Sequence, residues 1–226
     1  MKVGIIVAMG KELNLLLPLI ENVEETTVNG FLFHTGRIGG REIVAMQCGI
    51  GKVNAAIGTM TMIETFHPSL IINSGVAGGT GNGARILDVV VGTRIAYHDV
   101  WCGPGTEWGV AAGCPCYFTC PDWITALPAL TPGKGLYHGL ICSGDIFVSD
   151  PDIVDGIRRH FPDVMAVDME SAAIAQVCHI KGTGFIAIRV ISDTPGEADN
   201  IAQYENFWDD APKRTFETVE RLLTQL

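Results

Sequence analysis

The sequence lacks any apolar run approaching the roughly 18–20 residues that a membrane-crossing helix needs. The N-terminal run Val3–Met9 is short for a secretory leader and passes into Lys11-Glu12 without a small-residue cleavage pattern, so it reads as a buried first strand. Positive charge is scarce: 15 Lys and Arg stand against 25 Asp and Glu, a formal net charge of −10. That balance disfavours a phosphate backbone or an anionic membrane surface as the main partner, so neither a nucleic acid polymer nor a membrane is expected. Charged residues are few altogether, 18% against 47% apolar, which argues for a large buried core and against disorder.

Several chemical signatures are missing too. Gly49-Ile50-Gly51-Lys52 lacks the four-residue gap and the Ser or Thr of a phosphate loop, and Gly78-Gly79-Thr80-Gly81 does not match a dinucleotide fingerprint. No Ser-His-Asp ordering stands out among the six scattered histidines. Cys114-Pro115-Cys116 with Cys120, near His98 and Cys102, departs from the usual zinc spacings, so free loop thiols are the better reading. Seven cysteines is an odd number, and Cys48, Cys142 and Cys178 sit in apolar segments as buried thiols do; a reduced, cytoplasmic setting is expected. Neither a metal nor a cofactor is implied.

Glycine is what the chain has in excess, 27 of 226 residues against a usual ~7%. Its clusters fall among short β-branched runs: Val3–Ala8, Ile43–Gln47, Leu70–Asn73, Val89–Val91, Leu140–Cys142 and Phe185–Ile191. Most show no apolar/polar alternation, the pattern of strands buried on both faces. Between them Gly51–Phe66, Pro151–His160, Ser171–His179 and Ala211–Leu223 carry helical spacing. The interleaving predicts an α/β fold, a central mixed sheet flanked by helices in three layers, and a single domain over residues 1–226. The least regular stretch, His98–Pro121, carries Trp101, Trp108 and Tyr117, whose aromatic content favours binding to a ligand or another subunit. The polar segment Thr194–Tyr204 follows directly from a strand, in the place of a lid.

Four strand ends carry polar or acidic groups: Met9–Glu12, Asn73–Gly79, Ser143–Val148 and Arg189–Asp193. Ligands in α/β sheets sit beyond the carboxyl ends of strands, so these termini are expected to share one pocket. Glu12 suits either the first turn of a helix, where the dipole favours a carboxylate, or a general base. Val164–Ala175 places Asp168 and Glu170 in an apolar stretch; a cap explains one acid there and not readily both.

Together Gly4–Glu12 (GIIVAMGKE), Gly49–Ala56 (GIGKVNAA), Ile71–Gly79 (IINSGVAGG), Tyr97–Asp99 (YHD), Gly113–Pro115 (GCP), Ser143–Val148 (SGDIFV), Val167–Ser171 (VDMES) and Arg189–Asp193 (RVISD) form a pattern over nearly the whole chain. By that pattern the sequence resembles the bacterial 5′-methylthioadenosine/S-adenosylhomocysteine nucleosidases of the nucleoside phosphorylase superfamily. The resemblance implies hydrolysis of an adenine nucleoside in methionine salvage, by a homodimer, with Asp193 donating to adenine N7, Glu12 acting on the water and Glu170 on the ribose hydroxyls. It puts Phe147 against the adenine face, the backbone of Val148 on the base edge and Met169 under the ribose. Met9, Ile50 and Tyr204 would line an apolar pocket for the 5′-alkylthio group, closed by a neighbouring subunit's His98–Pro115 loop. Val76, Ala77 and Gly78 complete the substrate-binding set; Ser192 orients Asp193, and Arg189 balances the carboxylates or forms a simple salt bridge. Val76 stands where many members carry serine, Asp168 where glutamate is common, and Trp101–Cys120 differs from the family. An aminodeoxyfutalosine nucleosidase of menaquinone synthesis, a purine nucleoside phosphorylase and an inert nucleoside-binding protein are the alternatives.

Overall fold

A computed structural model describes residues 1–197, 199–210 and 213–226. Among them lie ten strands and seven α-helices. The strands are β1 (Val3–Val7), β2 (Glu21–Val28), β3 (Phe31–Ile38), β4 (Arg41–Gln47), β5 (Leu70–Gly79), β6 (Val89–Tyr97), β7 (Phe118–Thr119), β8 (Leu136–Ser143), β9 (Val164–Asp168) and β10 (Gly184–Asp193). The helices are α1 (Gly10–Leu16), α2 (Lys52–Phe66), α3 (Asp122–Thr125), α4 (Pro151–His160), α5 (Ser171–Lys181), α6 (Asn200–Asp210) and α7 (Lys213–Leu223).

All five residues of β1 are buried, because β4 and β5 flank it in parallel and helices cover both faces. Val3, Ile5 and Val7 pack with Leu16 of α1 and with Phe216, Val219 and Leu222 of α7. Ile6 faces the other way, into a core with Ala55 and Met62 of α2 and Ile174 and Cys178 of α5. A mixed sheet between helical layers is therefore present, as its uninterrupted apolar runs predict.

Each of the six expected strands is found, though β5, β6 and β8 extend beyond their apolar cores to take in the polar residues that follow or precede. Helix α4 matches the expected bounds: Asp150 caps it by accepting from the Asp152 amide at 2.9 Å, Pro151 opens it, and Arg158, Arg159 and His160 close it. The expected helix Ala211–Leu223 has its first two residues outside the described residues. The hairpins β2–β3 and β3–β4 went unread. Their turns are Asn29-Gly30 and Gly39-Gly40, all at positive φ, as two-residue hairpin turns require.

The pairings β5–β10, β10–β6, β6–β8, β8–β9 and β9–β5 close a ring. Two of these seams are antiparallel. At one of them β5 and β9 run toward each other and overlap only at their carboxyl ends, Gly78 opposite Val167 and Gly79 opposite Ala166. Gly78 is paired on its other side with Asp193 of β10. Residues just past β9 are thereby laid beside the last residues of β5 and β10.

Candidate active site

A cleft with about 630 Å³ of empty space, counting its open mouth, lies over this overlap. Its walls come from the ends of β1, β5, β8, β9 and β10. Every expected site residue but Arg189 lines it. Met9 and Glu12 enter from the β1 end, Val76, Ala77 and Gly78 from β5, and Phe147 and Val148 from beyond β8. Met169 and Glu170 follow β9, Ser192 and Asp193 close β10, and Ile50 and Tyr204 stand at the mouth.

Glu12 is 3% exposed, and both of its carboxyl oxygens accept hydrogen bonds. Its Oε2 accepts from the amides of Ala8 and Met9, both at 2.9 Å, and its Oε1 accepts from the amide of Val76 at 3.2 Å. It is thus a capping residue of α1 and a member of the cleft at once. Burial pushes its pKa up, against the pull of those amides and of Arg189.

Glu170 lies two residues past the end of β9 and immediately precedes α5. Its Oε1 accepts from the Gly51 amide at 2.9 Å. Burial, and then the Asp168 carboxylate beside it, raise its pKa.

Asp193 owes its aim to a bulge. Ile191 opposes Ala77 and Asp193 opposes Gly78, so Ser192 is the extra residue, and the carboxyl side chain turns into the cleft. The Ser192 hydroxyl donates to Oδ1 at 2.6 Å, and the Asn200 amide donates to Oδ2. Burial raises the Asp193 pKa in spite of both donors.

Arg189 lies beneath the cleft, 2% exposed. It pairs with Asp168 at 2.8 Å, and its Nη1 donates to the Asn73 carbonyl at 3.0 Å. Asp168 also accepts from the hydroxyls of Ser143 and Ser171. The salt bridge proposed for Arg189 is therefore present, and its charge also lowers the pKa of Glu12 and Glu170 from below. A buried network of this kind fixes the β9-to-α5 corner that carries Met169 and Glu170.

Ile146, within the expected Ser143–Val148 strand end, and Asp168, singled out as an acid but given no place in the cleft, both line it, whereas Ala8 and Val167 as wall residues and Asn200 as a partner of Asp193 were not read from the sequence. Asp168 ends a strand as the other acids do, a signal that was available. Nothing local marks Asn200; the first residue of α6 reaches Asp193 only because the expected lid segment folds back over the β10 end.

The aromatic stretch contributes nothing to this cleft from its own chain. Trp108 stacks on His160 of α4 at 4.3 Å between ring centroids and donates from its indole nitrogen to the His98 carbonyl at 2.9 Å. Trp101 stacks on Trp108 and stays half exposed. Among the described residues no three His, Cys, Asp or Glu side chains are grouped to hold a metal ion, and no helix is long and apolar enough to cross a membrane.

Residues 2–224 match the Phosphorylase superfamily. The 5′-methylthioadenosine/S-adenosylhomocysteine nucleosidase of Actinobacillus succinogenes is 39% identical over 233 residues, covering the whole of both chains. The S-adenosylhomocysteine nucleosidase of Streptococcus pyogenes, solved with 5-methylthiotubericidin, superposes with a TM-score of 0.95 at 39% identity over 100% of this chain and 97% of that one. The 5′-methylthioadenosine/S-adenosylhomocysteine nucleosidase of S. pneumoniae, solved with the transition-state inhibitor MT-ImmA, gives 0.94 at 35% identity over 100% and 99%. The futalosine hydrolase of Helicobacter pylori is more distant, with 0.92 at 27% identity over 100% and 98%. With full-length identity at this level, the chain belongs to the phosphorylase superfamily and, within it, to the 5′-methylthioadenosine/S-adenosylhomocysteine nucleosidases.

Proposed function

We propose that the protein hydrolyses the N-glycosidic bond of 5′-methylthioadenosine and S-adenosylhomocysteine, releasing adenine and the 5′-thioribose product. The observation that carries this reading is the meeting of Glu12, Glu170 and Asp193 over one cleft, each buried and each in a different hydrogen-bonding environment. Cleavage passes through an oxocarbenium-like ribose while negative charge builds on the departing base. Asp193, with its pKa raised by burial, is suited to deliver a proton to adenine N7. Glu12 accepts three backbone N–H groups as a carboxylate does, which leaves Oε1 capacity to take a proton from water. Glu170 takes the ribose hydroxyls. Phe147 covers the base and the Val148 backbone reads its edge. Met169 lies under the sugar, and Met9, Ile50 and Tyr204 receive the 5′ substituent, with Val76, Ala77 and Gly78 forming the floor.

Water is favoured over phosphate as the nucleophile. No Lys or Arg lines the cleft among the described residues, Arg189 is already committed to Asp168 below it, and a carboxylate at Glu12 would repel a phosphate. On this reading the chain is one domain over residues 1–226 and acts in the cytoplasm, in methionine salvage. All seven cysteines are free thiols, which supports that compartment.

The partner is a second copy of the chain. Val53, Ile57 and Met60 are exposed on one face of α2, and Ile50, two residues before that helix, and Phe147 are also exposed and line the cleft. The homodimer would bring a neighbouring His98–Pro115 loop to the 5′ pocket.

Adenine release from methylthioadenosine, S-adenosylhomocysteine, adenosine and aminodeoxyfutalosine, with and without phosphate, tests the function. Phosphate-independent release from the two thio-nucleosides is expected. Strict dependence on phosphate, or turnover of aminodeoxyfutalosine alone, overturns it.

A further inference from the structure

Three charged residues that this mechanism leaves without a role come from three different sequence motifs and meet beside the cleft. The Lys52 ammonium donates to both carboxylate oxygens of Asp99, at 2.9 and 2.8 Å, and lies 3.7 Å from Asp145 Oδ2. Asp99 Oδ2 also accepts from the Asp145 amide at 2.9 Å. Asp145 Oδ1 in turn accepts from the Lys52 amide at 2.8 Å. The ring of contacts ties the start of α2 to the β6 end and to the loop after β8.

Both tied segments carry groups of the site. Gly51, the residue before α2, donates its amide to Glu170, and it holds φ 95°, a conformation that only glycine adopts readily. The loop after Asp145 carries Phe147 and Val148. Gly144 leaves no room for a side chain there, since a Cβ would lie 2.9 Å from Asp99 Cγ, so the loop lies directly against the Asp99 turn. The two amides at the start of α2 thus take carboxylates from two different loops, Glu170 and Asp145, while the Lys52 charge offsets Asp99 and Asp145.

We propose that Lys52, Asp99 and Asp145 are positioning residues, an ionic clamp that holds the Gly51 amide on Glu170 and the Phe147 loop over the base. The proposal rests on the nucleosidase reading above. Because the clamp shapes the empty site in advance, its loss acts chiefly on substrate binding.

The test compares Asp145→Ala, Asp145→Asn and Lys52→Met with the unsubstituted enzyme by steady-state kinetics on methylthioadenosine and by hydrogen exchange. For Asp145→Ala, KM is expected to rise about tenfold with kcat within about threefold, the signature of lost ground-state binding. Amides of residues 49–53 exchange faster, and the thermal midpoint stays close to the parent's because Asp145 is half exposed. Asp145→Asn recovers most of the KM, since its amide oxygen still accepts from the Lys52 N–H. Unchanged KM and exchange in Asp145→Ala overturn the clamp, and so does an Asn variant no better than Ala. If Asp145→Ala fails to fold, Lys52→Met decides by the same two readouts. Absence of adenine release by the parent enzyme would sink the nucleosidase reading, whereas the exchange rates would still decide the clamp.

Discussion

A Cβ placed on Gly75 would lie 2.5 Å from Oε1 of Glu12, so the candidate base occupies the space that any side chain at residue 75 would fill. Glu12 cannot simply retreat, because three backbone amides hold its two oxygens. Gly75→Ala is therefore expected to displace the carboxylate and lower kcat/KM about a hundredfold, the scale of a 1 Å misplacement. The variant should remain folded. Wild-type turnover in it, measured by adenine release, would show that the position of Glu12 is not needed.

Asp193 is the proposed acid, and its two oxygens are held by Ser192 and Asn200. Asp193→Asn keeps the shape and removes the proton; kcat should fall about 10²- to 10⁴-fold with little change in substrate affinity. Equal losses in turnover and in analogue binding would count against an acid role. Asn200→Ala removes one donor that favours the carboxylate, so the pKa of Asp193 should climb further and the basic limb of the kcat profile should move to higher pH.

Stability should depend on pH through Glu170. Its folded pKa, pushed up to about 7, lies above its ordinary value of 4.5, so its contribution to stability is complete below the ordinary value and is lost as pH rises toward and through 7. Glu170→Gln abolishes that dependence. The thermal midpoint of the variant, taken relative to the parent, should therefore increase from pH 5 to pH 8. A constant difference across that window would mean that burial does not raise this pKa.

The Arg189–Asp168 pair is buried at both ends. Arg189→Met leaves Asp168 uncompensated and should cost about 3–5 kcal/mol in urea unfolding. Adding Asp168→Asn should cost less than the sum of the two single changes, since the groups share one network. Strict additivity would indicate that the two residues act independently.

The exposed face of α2 predicts a dimer on size-exclusion chromatography with light scattering. Ile57→Glu should shift the enzyme toward monomer and weaken activity on methylthioadenosine, because the 5′ pocket would lose its second wall. A parent chain that elutes as a monomer at micromolar concentration would remove this reading.

How much was legible varies element by element, for physical reasons. β1, β4 and β10 show themselves as apolar runs because both faces of each are covered. β2 does not, because nearly all of Glu21–Val28 is exposed on an edge, and its only local sign is the Asn29-Gly30 turn. Helix α4 was readable to the residue because its cap, its opening proline and its basic last turn are all local signals.

The sequence by itself determined the chemistry: acids at the ends of buried strands, too little positive charge to hold phosphate, and glycines where groups must come close. Only the tertiary structure decided how those acids face one another. The two-residue overlap of β5 with β9 brings Glu170 into one cleft with Val76, the bulge at Ser192 turns Asp193 inward, and α6 returns to place Asn200 on it. It also sent Arg189 below the cleft to Asp168. Register and strand closure depend on pairings between segments far apart in the chain, and those contacts leave no periodic trace in either segment alone.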